Sequence, residues 1–342
     1  MALKRGKQTY LFQHPAAIRS FAAIGSKREG EGPLGEFFDT IDPDSTFGQK
    51  SWERAESRLH HDTVELAVKK AGLSYADLDC LLAGDLLNQC IGATFGVREL
   101  GIPYLGIYGA CSNMAEGLLL SAFLAESGLR YLGVSTASHF CTAERQYRFP
   151  LEYGGQRTPT AQWTVTGSGA CVVGQNGQPP FVRAVTVGTV ADLGITDINN
   201  MGAAMAPAAA QTLCQYFADT GHKPEDFDLI LTGDLGFVGS RLLERLMQAE
   251  GYPMAKLHND CGLMIYDRLT QDVHAGGSGC GCAASVLCSF ILPQIACHRL
   301  KNVLFLATGA LMSPTSVQQG ESIPGIAHLL HLSDQPNSPE QM

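Results

Sequence analysis

The sequence predicts an α/β protein made of two halves built on one β–α plan. Short apolar runs that read as buried strands alternate with longer segments of helical period, which implies mixed or parallel sheets covered by helices. The chain also repeats itself: residues 67–86 read AVKKAGLSYADLDCLLAGDL and residues 216–235 read YFADTGHKPEDFDLILTGDL. Gly72 matches Gly221, Asp77 matches Asp226, Asp79 matches Asp228, and Gly84-Asp85 match Gly233-Asp234, all at an offset of 149 (221 − 72, 233 − 84). Seven identities in twenty positions are hard to reach by chance and mark a duplicated unit. A looser pairing sets Gly109-Ala110-Cys111 and a strand at 131–135 against Gly279-Cys280-Gly281-Cys282 and a strand at 302–307.

Taken in order, residues 7–25 alternate and read as one or two strands. Residues 25–50, rich in Gly, Pro, Asp and Ser, read as a loop. A helix over 53–71 has Leu59, Val64, Leu66, Ala67 and Val68 as its apolar residues, puts His60 and His61 on its exposed side, and stops at Gly72. A buried strand at 78–85 follows, then a helix ending near 98–101. The run 104–108 reads as another buried strand, with Gly109 supplying a tight turn. From Ser112 the period becomes helical, with Leu118, Leu119, Ala122, Phe123 and Ala125 on one face. Residues 140–163 form a polar and aromatic segment. The strands at 169–175 and 182–190 pair as a hairpin across Asn176-Gly177-Gln178. The expected halves are 7–175 and 181–332, with a disordered tail over 335–342.

Composition narrows the function. Of 342 residues, 45% are hydrophobic and 17% charged, which fits an ordinary globular chain. The net charge of −9 argues against nucleic acid as a partner and means that an anionic ligand needs a local cationic pocket. Eleven cysteines include no C-x-x-C pair, and Cys80, Cys171 and Cys288 lie inside apolar runs. Reduced, buried thiols in a cytosolic-type compartment follow, not a disulfide framework or a zinc site. The N-terminus has no signal-peptide core, and the apolar runs at 118–125 and 283–296 fall short of a span of about 20 residues. The expectation is a soluble protein that could be peripheral to a membrane through a partner. Asp85, Asp234, Asp260 and Asp267 lack EF-hand spacing, and no nucleotide fingerprint is present, so neither metal nor cofactor is expected.

Cys111 falls where a strand turns sharply into a helix. Free amides and the positive helix end would stabilise a thiolate there, which suits a nucleophile; the same place suits a small packing residue. Cationic or donor candidates after strand ends are His139, Arg145, Arg148, Arg157, His258 and His274. Gly276 and Gly277 would let backbone amides form an anion nest.

Two pseudo-symmetric halves, a cysteine elbow in the first, a Gly-rich entry in the second and the run Thr166-Gly167-Ser168-Gly169-Ala170-Cys171 together resemble the thiolase-like superfamily. The resemblance covers roughly residues 7–330. It implies an αβαβα layering and a two-fold dimer joined along the strand near 104–108. It also raises the alternative of an acyl-thioester condensing enzyme using Cys111. Such enzymes place a His where this chain has Gly233 or Asp234, and an Asn where it has Gly276, Gly277 or Ser278, so acyl transfer is not expected. The segments 145–150, 157–167 and 273–282 are similar to a sporulation branch of the superfamily. That likeness implies a non-enzymatic protein that binds dipicolinic acid, free or as its calcium chelate. It further implies a role in uptake of that acid into the developing spore with membrane-embedded proteins of its operon, peripheral at the spore inner membrane. The ligand site it implies is Cys111, His139, Arg145, Arg157, His258, His274, Gly276, Gly277 and Ser278. A scaffold for a membrane channel with an inert pocket is the third reading.

Overall fold

The identities of the repeat stand where the backbone needs them. Gly72 and Gly221 close their helices in the left-handed region, at φ 70° and 77°. Asp77 accepts from the Ser74 amide and Asp226 from the Lys223 amide, each at 2.8 Å. Asp79 accepts from the amides of Arg130 and Tyr131 (2.5 and 3.2 Å), and Asp228 from those of Lys301 and Asn302 (2.7 and 3.0 Å). In both halves one carboxylate therefore pins the chain at the entry to the neighbouring strand.

A computed structural model describes residues 2–147 and 156–337. Its strands are β1 (Ala2–Arg5), β2 (Thr9–Ser26), β3 (Thr40–Asp42), β4 (Cys80–Gly84), β5 (Tyr104–Gly106), β6 (Tyr131–Ser138), β7 (Trp163–Thr164), β8 (Gly167–Gly174), β9 (Phe181–Thr186), β10 (Leu229–Thr232), β11 (His258–Asp260), β12 (Gly277–Ser278), β13 (Asn302–Ala310) and β14 (Gly325–Ser333). The main path runs β11-β10-β13-β14-β9-β2-β8-β6-β4-β5, with β1 and β3 also paired to β2 and β7 paired to β12 apart. Outward from the β9–β2 contact the two directions match. β10 is parallel to β11 and β13, as β4 is to β5 and β6. β14 is antiparallel to β13 and β9, as β8 is to β6 and β2.

The helices are α1 (Lys27–Gly30), α2 (Trp52–Lys70), α3 (Ile91–Val97), α4 (Asn113–Glu126), α5 (Phe140–Tyr147), α6 (Met201–Thr220), α7 (Gly236–Ala249), α8 (Cys261–Met264), α9 (Cys280–Val286), α10 (Leu292–Ala296) and α11 (Pro314–Gln318). Three cores make five layers. Val64 and Val68 of α2 meet Leu81 and Val172 on the outside of the first half. Leu213 and Phe217 of α6, with Leu243 of α7, meet Leu304 and Leu329 on the outside of the second. Between the half-sheets, Met114 and Leu118 of α4 and Val286 of α9 pack with Val134, Phe305 and Leu330. Helix α4 is apolar on nearly all sides because it has a sheet on each side.

Several expectations change. The strands at 169–175 and 182–190 do not form a hairpin. β2 is one strand of 18 residues and lies between them, pairing with β8 through Ala17–Gly25 and with β9 through Thr9–Ala17. The segment 25–50 is not all loop, since β3 pairs with β2. The run at 104–108 is not a buried strand: β5 is the sheet edge, with Leu105 and Tyr108 50% and 48% exposed. His60 is not exposed. Helix α2 packs between the sheet and α3, so His60 is buried, its Nδ1 3.0 Å from Ser135 Oγ. Residues 335–337 are seated, with Asn337 accepting from Arg183 Nε (2.5 Å) and donating to the Phe12 carbonyl (2.6 Å). Residues 338–342 and Arg148 lie outside the described residues.

Candidate active site and cation cluster

The elbow after β5 takes its shape from Ala110, which sits at φ 53°, while Gly109 has an ordinary φ of −95°. Gly109 is required for closeness: a Cβ there would lie 2.3 Å from the Glu116 carboxylate and 2.6 Å from Ser112 Oγ. Opposite, a Cβ on Gly309 of β13 would lie 2.3 Å from the Gly109 carbonyl oxygen, so the second half abuts the elbow.

That half also brings Asp234, two residues beyond β10, against Cys111. The Cys111 thiol faces its carboxylate, and the two interact electrostatically. Asp234 is fully buried and also accepts from the Gly279 amide (2.9 Å), Ser278 Oγ (3.1 Å) and Thr308 Oγ1 (3.1 Å). Gln162 Nε2 donates to the Asp234 and Gly277 carbonyls at 2.8 and 2.7 Å, tying in the strand pair β7–β12. Burial raises the Asp234 pKa, opposed by its hydrogen bonds. Burial first, then the charges of Asp234 and Cys280, push the Cys111 thiol well above its ordinary value. The helix-end stabilisation of a thiolate expected from the sequence is overridden, because α4 presents its start to a dry, negatively charged neighbour.

The cavity at Cys111 is small, about 50 Å³, and Leu86, Ala143, Glu144, Tyr147 and Ser278 help line it. Among the described residues no Arg, Lys or His does so. Of the candidates, Cys111 and Ser278 line this cavity and His139, Arg145, Arg157, His258, His274, Gly276 and Gly277 do not. His139 donates from Nε2 to the Ser45 carbonyl (2.8 Å), and burial keeps its pKa low. His258 is held by Thr232 Oγ1 (3.0 Å) and Glu244 (3.3 Å). Arg145 pairs with Glu53 and lies over Trp52. In the turn at Gly276 and Gly277, the Gly276 amide is already taken up, donating to the Val273 carbonyl (3.0 Å). Both glycines serve close packing, since a Cβ on Gly276 would lie 2.5 Å from the Gly262 carbonyl and one on Gly277 2.8 Å from Ile265.

Arg157 and His274 do meet. Arg157 Nη2 donates to the Asp272 carbonyl (2.6 Å) and carboxylate (3.0 Å), and His274 Nε2 lies 3.1 Å from the same carboxylate. The residue that sequence reasoning missed is Arg28, at the start of a short helix, where no motif announces it. Its guanidinium lies 3.9 Å from the Trp163 ring centre and that of Arg157 4.8 Å, while Phe140 stacks on Trp163 at 3.8 Å. Arg28 Nη2 donates to the Gln271 and Asp272 carbonyls. Arg28 Nε and Arg157 Nη1 are buried with no acceptor among the described residues. Asp272, 76% exposed at its side chain, thus sits among two guanidinium groups and the His274 ring, in a loop where it and His274 take φ of 45° and 51°.

Asp85 and Asp260 serve turns. Asp85 accepts from the Leu87 and Ala93 amides (2.7 and 2.6 Å), and Asp260 from Thr232 Oγ1 (2.6 Å) and the Leu235 and Gly236 amides (both 2.9 Å). Burial pushes each up to about 6. Among the described residues, one group has donor atoms close enough to share a metal ion: His61, Asp62 and Glu65 on α2.

The sequence model of the family described as stage V sporulation protein AD matches residues 6–333. Stage V sporulation protein AD of Bacillus subtilis (strain 168) is 48% identical over 324 residues, covering 94% of this chain and 96% of its own. Among solved structures, a single-residue variant of OleA from Xanthomonas campestris superposes with a TM-score of 0.59 at 14% identity, covering 94% of this chain and 99% of its own. The 3-oxoacyl-[acyl-carrier-protein] synthase III of Aquifex aeolicus VF5 does so with a TM-score of 0.54 at 15% identity, covering 92% and 99%. At such identities the likeness shows the fold, which is thiolase-like.

Proposed function

This chain belongs to the stage V sporulation protein AD family, and from that premise we propose that it is a non-catalytic binding protein for dipicolinic acid, pyridine-2,6-dicarboxylate. The observation that carries the non-catalytic half is the buried Asp234 carboxyl group beside the Cys111 thiol. Acyl transfer needs a thiolate and hydrogen-bond donors aimed at the developing oxyanion. Here a buried acid stands beside the sulfur, where its charge opposes both the thiolate and the oxyanion. Losing groups that act together removes most of a rate enhancement.

The support for the ligand is chemical. An aromatic dicarboxylate suits paired guanidinium groups beside flat apolar surface. Arg28 and Arg157 against Trp163 supply these, each with an N–H lacking an acceptor among the described residues, and the His274 ring lies beside them. The Asp272 carboxylate occupies the place that a ligand carboxylate would take. Trp163 is on β7, whose next residue, Thr164, lines the Cys111 cavity. The ligand enters as the free acid or its calcium chelate. The protein then works in dipicolinate uptake at the spore inner membrane through membrane-embedded proteins of its operon. Among the described residues no helix is long and apolar enough to cross a membrane.

Calorimetric titration of the full chain with dipicolinate tests this. One saturable site is expected, weakened about tenfold or more by Arg28→Gln or Arg157→Gln, at about 1.5–3 kcal/mol per charge-assisted bond, and little by Cys111→Ala. No binding to the wild type overturns the reading. Equal binding by both arginine variants, with loss in Cys111→Trp, would move the ligand to the Cys111 cavity. One feature favours the condensing-enzyme alternative: the left-handed Ala110 that sets Cys111 at the head of α4. An acyl adduct seen by mass spectrometry after incubation with acetyl or malonyl thioesters, and lost in Cys111→Ala, would establish it.

A further inference from the structure

The turn at 267–272 is a polar excursion between two buried anchors, Tyr266 and Val273, and Leu269 at its tip is 95% exposed. The turn is organised from within. Asp267 accepts from the Leu269 amide (2.9 Å) and Thr270 Oγ1 (2.8 Å), and its own amide donates to Gln271 Oε1 (2.9 Å). Its polar hold on the rest of the molecule runs through the arginine pair. Arg28 Nη2 donates to the Gln271 and Asp272 carbonyls, and Arg157 Nη2 to the Asp272 carbonyl and carboxylate. Gln271 Nε2 returns one bond to the Arg28 carbonyl (2.9 Å), and Arg268 lies over the Phe237 ring (4.3 Å).

This closed arrangement is weakly held. Asp272 and His274, on either side of Val273, both have positive φ, a backbone that disfavours a side chain and persists only where contacts enforce it. The Asp272 side chain is 76% exposed, so its ion pair with Arg157 contributes little. The turn also leaves donors unused: Arg28 Nε and Arg157 Nη1 are buried with no acceptor among the described residues.

Two carbonyls and a carboxylate are what the turn offers the guanidinium groups, and a dicarboxylate offers oxygens of the same kind. We propose, on the reading that Arg28 and Arg157 receive the ligand's carboxylates, that the turn at 267–272 is a tethered competitor which the ligand displaces. With two carboxylates the ligand reaches the unused Nε and Nη1 donors as well as the Nη2 groups, and this favours the exchange. Tyr266 and Val273 stay in the core, so the motion is confined to the turn between them. Apparent affinity is then the intrinsic affinity scaled by the fraction of molecules with the turn open. Proteolysis of the turn follows the same fraction. Any change in that fraction is read twice.

The test uses the full chain and Asp272→Asn, which keeps the side chain's size and removes the charge facing Arg157, with Asp272→Ala alongside. Without ligand, trypsin should cut after Arg268 about threefold faster in either variant than in the wild type, the loss of a weak exposed ion pair. Peptide mass spectrometry locates the cut. Calorimetry with dipicolinate should show a gain in affinity of about threefold or more in the same variants. Saturating dipicolinate should speed the cut in the wild type, and the same concentration should not do so in Arg28→Gln. Binding to the wild type with affinity and cleavage unchanged in both Asp272 variants overturns the turn's role and leaves the arginine site standing. A cut slowed by dipicolinate makes the turn a cover rather than a competitor, with the same consequence. Binding unaffected by Arg28→Gln and Arg157→Gln, or absent from the wild type and the Asp272 variants alike, overturns the arginine site and this inference together.

Discussion

Asp234 gathers the Cys111 thiol, a backbone amide and two hydroxyls around one buried carboxyl. Two predictions belong to single residues. Asp234→Asn removes the charge that helps hold Cys111 protonated, so Cys111 alkylation by iodoacetamide at mildly alkaline pH should quicken about tenfold, one pKa unit. Peptide mass spectrometry reads it, and an unchanged rate would show that burial alone controls the thiol. The second concerns His60, whose pKa burial depresses to about 3. Unfolding restores it to about 6.5. Its contribution is therefore complete above about pH 6.5 and is lost as pH falls toward 3, at a cost on the order of 3 kcal/mol by about pH 4. In urea titrations from neutral pH down to about 4, His60→Gln should lose less stability than the wild type. Parallel curves would refute the assignment.

Among elements, the repeat makes an internal control. Gly72 and Gly221 end α2 and α6 with left-handed φ, and nothing lies within 4 Å of a Cβ built on either. Ala at each should cost about 1–2 kcal/mol from backbone conformation alone. The two values should agree within measurement error in denaturant unfolding. A cost at one position only would mean that the two helix ends are not equivalent. Strand β5 supplies the other feature at this level. It is an open edge, and Leu105 and Tyr108 beside it are exposed, as are Ile91 and Phe95 of α3. A bare apolar edge invites pairing.

For the whole molecule we predict an isologous homodimer closed along β5, with the two first halves meeting at the axis. Light scattering should give twice 36.6 kDa at micromolar concentration, and Leu105→Lys should shift the mass toward the monomer. A wild-type monomer would refute it. Such a dimer would cover the edge.

Features that are local or periodic were legible in the residues alone. The 149-residue repeat marked Gly72, Asp77 and Asp79 and their partners, because caps and turn-pinning carboxylates act over a few residues or across one neighbouring strand. Alternating strands and helices gave the fold class, and the elbow at Cys111 was readable from a change of period. What each side chain faces was settled by long-range packing. No local pattern says that β2 parts β8 from β9, since strand pairing is fixed by which edges remain to be satisfied. None says that Asp234 quenches Cys111, that His60 is sealed under α3, or that Arg28 joins Arg157 at Trp163. Those are charges and rings brought together from distant parts of the chain. Their energies depend on burial and on neighbours that the linear pattern does not contain.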